Sequence, residues 1–172
     1  MILVFPVQHI FLMLNTLTAD ILELLKINPD SDLIVAVGNS FRTDDGVGPY
    51  IAQGLEQIKG LKLINAGYNP ENIIEDVIKL APQKILIIDA ADFRGNFGQA
   101  RIIPEDKIPQ TTLSTHAIPL NVISGVISQS IKTAIYFIGI QPESVCLGEG
   151  LSAEVKKTAD QIIEIIKKSL LK

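Results

Sequence analysis

The chain has no tryptophan, one cysteine (Cys146), two histidines (His9 and His116) and two methionines in its 172 residues. A single thiol excludes an internal disulfide framework and a cysteine-rich zinc site, and it fits a reducing compartment. With only two imidazoles, any metal site must lean on carboxylates. The 15 basic residues are outnumbered by 19 acids, and the net charge of −4 comes with no basic run. The electrostatic footprint of a nucleic-acid binder is therefore missing. Aromatic residues make up only 5% of a chain that is 47% hydrophobic, so the core falls mainly to Ile, Leu and Val. Residues 1–14 are apolar but uncharged, with no basic stretch at the start and no clear small-residue cleavage site. That run is also short for a bilayer, and Pro6, Gln8 and His9 interrupt it. We expect neither a secretory signal nor a membrane span, and we read His9 as a packed side chain.

Against these absences stands one informative stretch, Asp32 to Gly48, D-L-I-V-A-V-G-N-S-F-R-T-D-D-G-V-G. Its apolar run Leu33–Val37 is short and rich in β-branched residues, which predicts a strand buried on both faces. Gly38 closes it, a polar loop follows, and the periodicity turns helical at Val47, Tyr50, Ile51, Gly54, Leu55 and Ile58. Pro49 falls in the first turn of that helix, where a missing N–H costs little. Two adjacent acids, Asp44 and Asp45, thus stand between a strand and a helix, where open α/β sheets place their chemistry. The plainer reading is that one of them caps the helix. Capping explains one acid but not the pair.

The chain as a whole predicts an α/β domain: three layers, with a twisted, mostly parallel sheet of about five strands flanked by helices. Thr18–Ile27 reads as an amphipathic helix ended by Asn28-Pro29-Asp30, and we set residues 1–30 apart as an appendage to a single domain, 31–172. Strands are expected at 61–66, 84–89, 99–103 (an edge strand) and 133–140. Helices are expected at 72–80, 120–127 and 153–170, with a helical turn at 104–108. Strand–helix–strand–helix–strand at this spacing implies right-handed parallel crossovers.

Two further residues can join the acidic loop. Asp89 ends the strand I-L-I-I-D, and His116 lies in the polar stretch Gln110–His116. If the strands run parallel, the acids share the carboxyl edge of the sheet. Two carboxylates and an imidazole make a mixed oxygen–nitrogen set with room for an outside ligand, suited to nickel, zinc or iron. The plainer alternative has Asp89 capping its own loop and His116 on the surface. An Asp89–Asp92 dyad sharing a proton is a third arrangement. No G-x-S-x-G elbow, G-x-G-x-x-G fingerprint or phosphate-loop lysine is present.

The runs G-N-S-F-R-T-D-D-G-V-G-P, G-Y-N-P-E-N, I-L-I-I-D-A-A-D-F, T-H-A-I-P-L-N and G-I-Q-P-E resemble those of the hydrogenase maturation endopeptidases, in order and at family-like spacing. The branch serving formate-hydrogenlyase-type hydrogenases is the most similar. The resemblance implies a cytoplasmic protease, classed by some schemes as aspartic-type. Such a protease removes a C-terminal extension from the large-subunit precursor of a nickel–iron hydrogenase after nickel insertion. It further implies metal contacts at Asp45, Asp89 and His116, with nickel supplied by the substrate and zinc or cadmium as substitutes. Asp45 or Asp89 would then be the general base. Gly46, Gly48 and Asn39 are expected to face the substrate, although the glycines have a plainer role in shaping the turn into the helix. A non-catalytic nickel-sensing chaperone for the same precursor would use the same three ligands. Cys146 is expected to be a packed or idle thiol.

Overall fold

The computed structural model describes residues 17–104 and 119–171. Its centre is the run expected to be buried on both faces: β1 (Asp32–Val37) is buried along its whole length. β2 (Lys62–Gly67) and β3 (Lys84–Ala90) pair with it in parallel on either side. β5 (Ala134–Ile140) pairs in parallel with β3, and β4 (Ala100–Ile103) closes the far edge antiparallel to β5. The sheet order is β2-β1-β3-β5-β4. Four parallel strands and one antiparallel edge strand agree with the expected mostly parallel sheet.

Side chains of a strand alternate between the two faces, and the two cores follow that period. Ile34, Leu86, Ile88, Ile138 and Ile140 enter one core, where α2 (Val47–Leu55) and α5 (Ala153–Ser169) supply Val47, Ile51, Leu55, Val155, Ala159, Ile162 and Ile166. Leu33, Val35, Val37, Ile85, Ile87 and Phe137 enter the other. There they meet Val77 of α3 (Ile74–Leu80) and Leu120, Ile123 and Ile127 of α4 (Leu120–Ser130). Two helical layers thus sandwich the sheet, the three-layer arrangement expected of alternating strands and helices.

The segment set apart as an appendage is, from Leu17 onwards, built into this domain. Around α1 (Ala19–Leu24), the residues Leu17, Ile21, Leu25 and Ile27 are buried in the first core. Polar contacts fix the same segment to the sheet's amino edge. Asp32 pairs with Lys84 at 2.7 Å and accepts the Asn28 N–H at 2.9 Å, while the Lys84 ammonium donates to the Lys26 carbonyl at 3.2 Å. The apolar run 1–14 lies outside the described residues.

Other boundaries shift locally. The helix expected from Asn72 begins as a 3-10 turn, Pro70–Ile73, because Pro70 can occupy a first-turn position without needing a donor. It stops at Ala81, in the left-handed region at φ 42°, with its N–H donating to Val77 and Ile78 carbonyls. α1 is shorter than expected, and α4 runs three residues further than Ile127. The turn expected at 104–108 falls, from residue 105, outside the described residues.

Candidate active site

The strand order fixes where a site can form. From β1 the chain crosses to β2 on one side and then returns to β3 on the other, so β1 and β3 are neighbours whose connections leave in opposite directions. A crevice opens at the carboxyl ends of such a pair. Asp89 lies in β3 near that end, and the loop after β1 carries Asp44 and Asp45 in a 3-10 turn, Thr43–Gly46, packed against β3. Asp45 is 1% exposed and Asp89 6%. The two acids singled out in the sequence are therefore brought to one edge of the sheet, in adjoining elements. His116 lies outside the described residues, and among those residues no three His, Cys, Asp or Glu side chains form a metal-holding group.

Three features shape the turn. Gly38, at φ 136°, lets the chain double back so closely that a Cβ there would lie 1.9 Å from the Asp45 carbonyl oxygen. Asn39 donates its N–H to that same oxygen at 3.0 Å and accepts the Phe41 N–H on its side-chain oxygen, also at 3.0 Å. It thus orients the loop through its amide, as an Asx turn does. Gly48 is buried where α2 crosses the sheet, and a Cβ on it would fall 2.1 Å from the Val37 carbonyl oxygen and 2.9 Å from that of Ile88. The close approach it permits is between helix and sheet. Gly46 lines a cleft of about 520 Å³ along α2, together with Ser40, Thr43, Tyr50, Asn65 and Leu151.

Asp44 does not cap the helix that follows it, whose N-cap residue is Gly46. Asp44 instead reaches the segment between β5 and α5. Its Oδ2 accepts the N–H groups of Glu143 (2.8 Å) and Ser144 (3.1 Å) and the Ser152 hydroxyl (2.9 Å), and its Oδ1 accepts the Ser152 N–H at 2.7 Å. Ser152 is the N-cap residue of α5, so Asp44 places a carboxylate at the positive end of a 17-residue helix. Thr43 adds to the attachment. Its N–H donates to the Gly148 carbonyl at 2.9 Å and its hydroxyl to the Ser144 carbonyl at 2.7 Å. Thr43 holds φ 41°, a strained region for a β-branched residue.

The segment that receives Asp44 also orders the loop after β3. Gln141 is buried, and its Oε1 accepts the N–H groups of Phe93 and Gly95, each at 3.0 Å. Its Nε2 donates to Asp92 Oδ1 at 3.1 Å. The Arg94 N–H on the same oxygen (2.9 Å), with the Gln141 amide second, holds the Asp92 carboxyl below its ordinary range. Asp92 Oδ1 is thus spent on ordering its own loop against Gln141. Asp89 Oδ1 accepts the N–H of Ala90 at 2.8 Å. Cys146 is exposed rather than packed, and it serves the site through its backbone, whose carbonyl accepts the Thr43 hydroxyl at 3.3 Å. Sequence reasoning missed Asp44, Gln141 and Ser152 as organising residues. Ser152 just before the periodic run of α5 was the one local signal, an N-cap residue type in an N-cap place.

Comparison with known proteins bears on this arrangement. Residues 49–169 match the family model described as HycI, hydrogenase maturation protease. The Hydrogenase 3 maturation protease of Escherichia coli K12 is 34% identical over 137 residues, covering 78% of this chain and 87% of its own. Among solved structures, a [NiFe] hydrogenase maturation protease HycI from Thermococcus kodakarensis superposes with a TM-score of 0.74 at 28% identity, over 83% of this chain and 94% of that one. The endopeptidase HycI from Escherichia coli gives 0.70 at 32% identity, over 78% and 87%.

Proposed function

The chain belongs to the hydrogenase maturation protease family, and from that premise we propose that it is the endopeptidase that trims a nickel–iron hydrogenase precursor. The bond cut joins the large subunit to its C-terminal extension, and cleavage follows nickel insertion. The observation that carries the reading is the pairing of two buried carboxylates, Asp45 and Asp89, in adjoining elements at the carboxyl edge of β1 and β3. Asp44 beside them makes four structural hydrogen bonds, and the match to the family's motif puts the metal-contacting acid at Asp45.

In this reading Asp45, Asp89 and His116 contact the nickel carried by the precursor, and only a loaded precursor is cut. Two oxygens and one nitrogen are a donor set that nickel accepts, and zinc or cadmium would substitute. Nickel there would polarise the scissile carbonyl or a water. Hydrolysis adds that water across the C–N bond, and Asp45 or Asp89 takes its proton as general base. Gly46, on the wall of the cleft beside the turn, is where the peptide would approach the backbone. Cleavage takes place in the cytoplasm; among the described residues no helix is long and apolar enough to cross a membrane.

The test is cleavage of nickel-loaded precursor, followed by the mass of the large subunit. Wild-type protein should release the extension, and Asp45→Asn, Asp89→Asn and His116→Ala should each lose at least about 100-fold in rate while melting normally. Stoichiometric binding of the precursor without any cleavage would identify the chaperone instead.

A further inference from the structure

We propose that Asp44 is a positioning residue for the cleavage reaction, holding Asp45 in its working direction; this rests on the reading of Asp45 as a residue that acts on the substrate. In a 3-10 helix there are three residues per turn, so neighbouring side chains diverge by about 120°. Once the Asp44 carboxylate is fixed on the Glu143–Ser152 segment, the direction of the Asp45 side chain is set by the backbone they share.

The fixation is strong and specific to a carboxylate. Four donors converge on Asp44, three of them backbone N–H groups, and a fifth bond runs from the Asp44 N–H to the Ser144 carbonyl at 3.1 Å. An ionised carboxylate offers about four acceptor positions and no donor, which matches this demand; an amide would turn an NH2 group toward N–H donors. Asp44 is fully buried, so these bonds form away from competing water. On the other side of Asp45, Gly46 leads directly into α2, which Gly48 seats against β1 and β3. Asp45 is thus held from both ends, by the β5–α5 segment and by the sheet.

A second buried acid provides the control. Asp32 also accepts several hydrogen bonds and an ion pair, but at the amino edge of β1, away from the crevice. The experiment measures kcat and KM for nickel-loaded precursor, normalised to folded protein by circular dichroism. Asp44→Asn should lower kcat by roughly 10- to 100-fold, the usual effect of losing a partner that orients a reacting group, with KM unchanged. Asp32→Asn should lower Tm without moving kcat. Should Asp44→Asn not fold, Ser152→Ala removes one hydroxyl donor; kcat should fall with KM unchanged, and Ser152→Thr, which keeps the hydroxyl, should restore it. Wild-type kcat per folded molecule in Asp44→Asn, or in Ser152→Ala where that variant is used, would overturn the proposal while Asp45→Asn remained inactive. Full activity of Asp45→Asn would instead overturn the reading on which it rests.

Discussion

Gly48 faces the backbone of Val37 so closely that a single methyl on it would lie 2.1 Å from the Val37 carbonyl oxygen and 2.7 Å from the Val37 nitrogen. Both contacts are with the main chain of the most buried strand, so no side chain can turn aside to make room.

Gly48→Ala must therefore move α2 or β1. The expected cost is about 1–3 kcal/mol of stability, the usual range for overpacking a core. Urea unfolding should show it as a lower midpoint at an unchanged slope. Since α2 carries the turn ahead of it, cleavage should weaken in the same variant.

Ile21 tests whether the segment before β1 belongs to the domain. Its side chain is fully buried against the sheet's first core. Ile21→Ala should cost about 2–5 kcal/mol, as deletion of a buried aliphatic side chain does. A detachable appendage would leave the melting temperature of the rest unchanged.

Asp92 predicts an acid-dependent contribution from the loop after β3. Its carboxyl is held below the ordinary value of 3.8, chiefly by the Arg94 N–H and then by the Gln141 amide. A carboxylate with a depressed folded value stabilises the fold fully above the unfolded value and loses that contribution as pH falls through the folded one. The gap in urea midpoint between wild type and Asp92→Asn should thus be constant at neutral pH and close only below 3.8.

The elements that could be read in the sequence are those whose signal is local. The β-branched run Leu33–Val37 and the run Ile85–Ile88 carry their burial in their composition, and both are central strands. Asp89 is visible because it interrupts such a run at its end. The helix from Ala153 shows its stripe over four turns, and its end differs by one residue. What was not legible depends on distant partners. The Asp44–Asp45 pair looks the same in sequence whichever acid is structural; the attachment of Asp44 appears only with the return of residues 143–152 to the loop. The segment before β1 was set apart because Asn28-Pro29-Asp30 ends its helix, yet a turn of that kind fixes only a chain direction. Its burial comes from Leu17, Ile21 and Leu25 joining a core built from residues far along the chain, with β4 against the helix.

The bonds on Asp44 also set an order of events during synthesis. Every side-chain and backbone donor that fixes it comes from residues 143–152, about a hundred positions later in the chain. A nascent chain that has emerged only as far as β5 already carries the acids of the sheet's edge, but the turn that bears Asp45 is then held from the sheet side alone. Because a domain folds as a unit, the Asp44 attachment forms only once the chain through Ser152 is available to it.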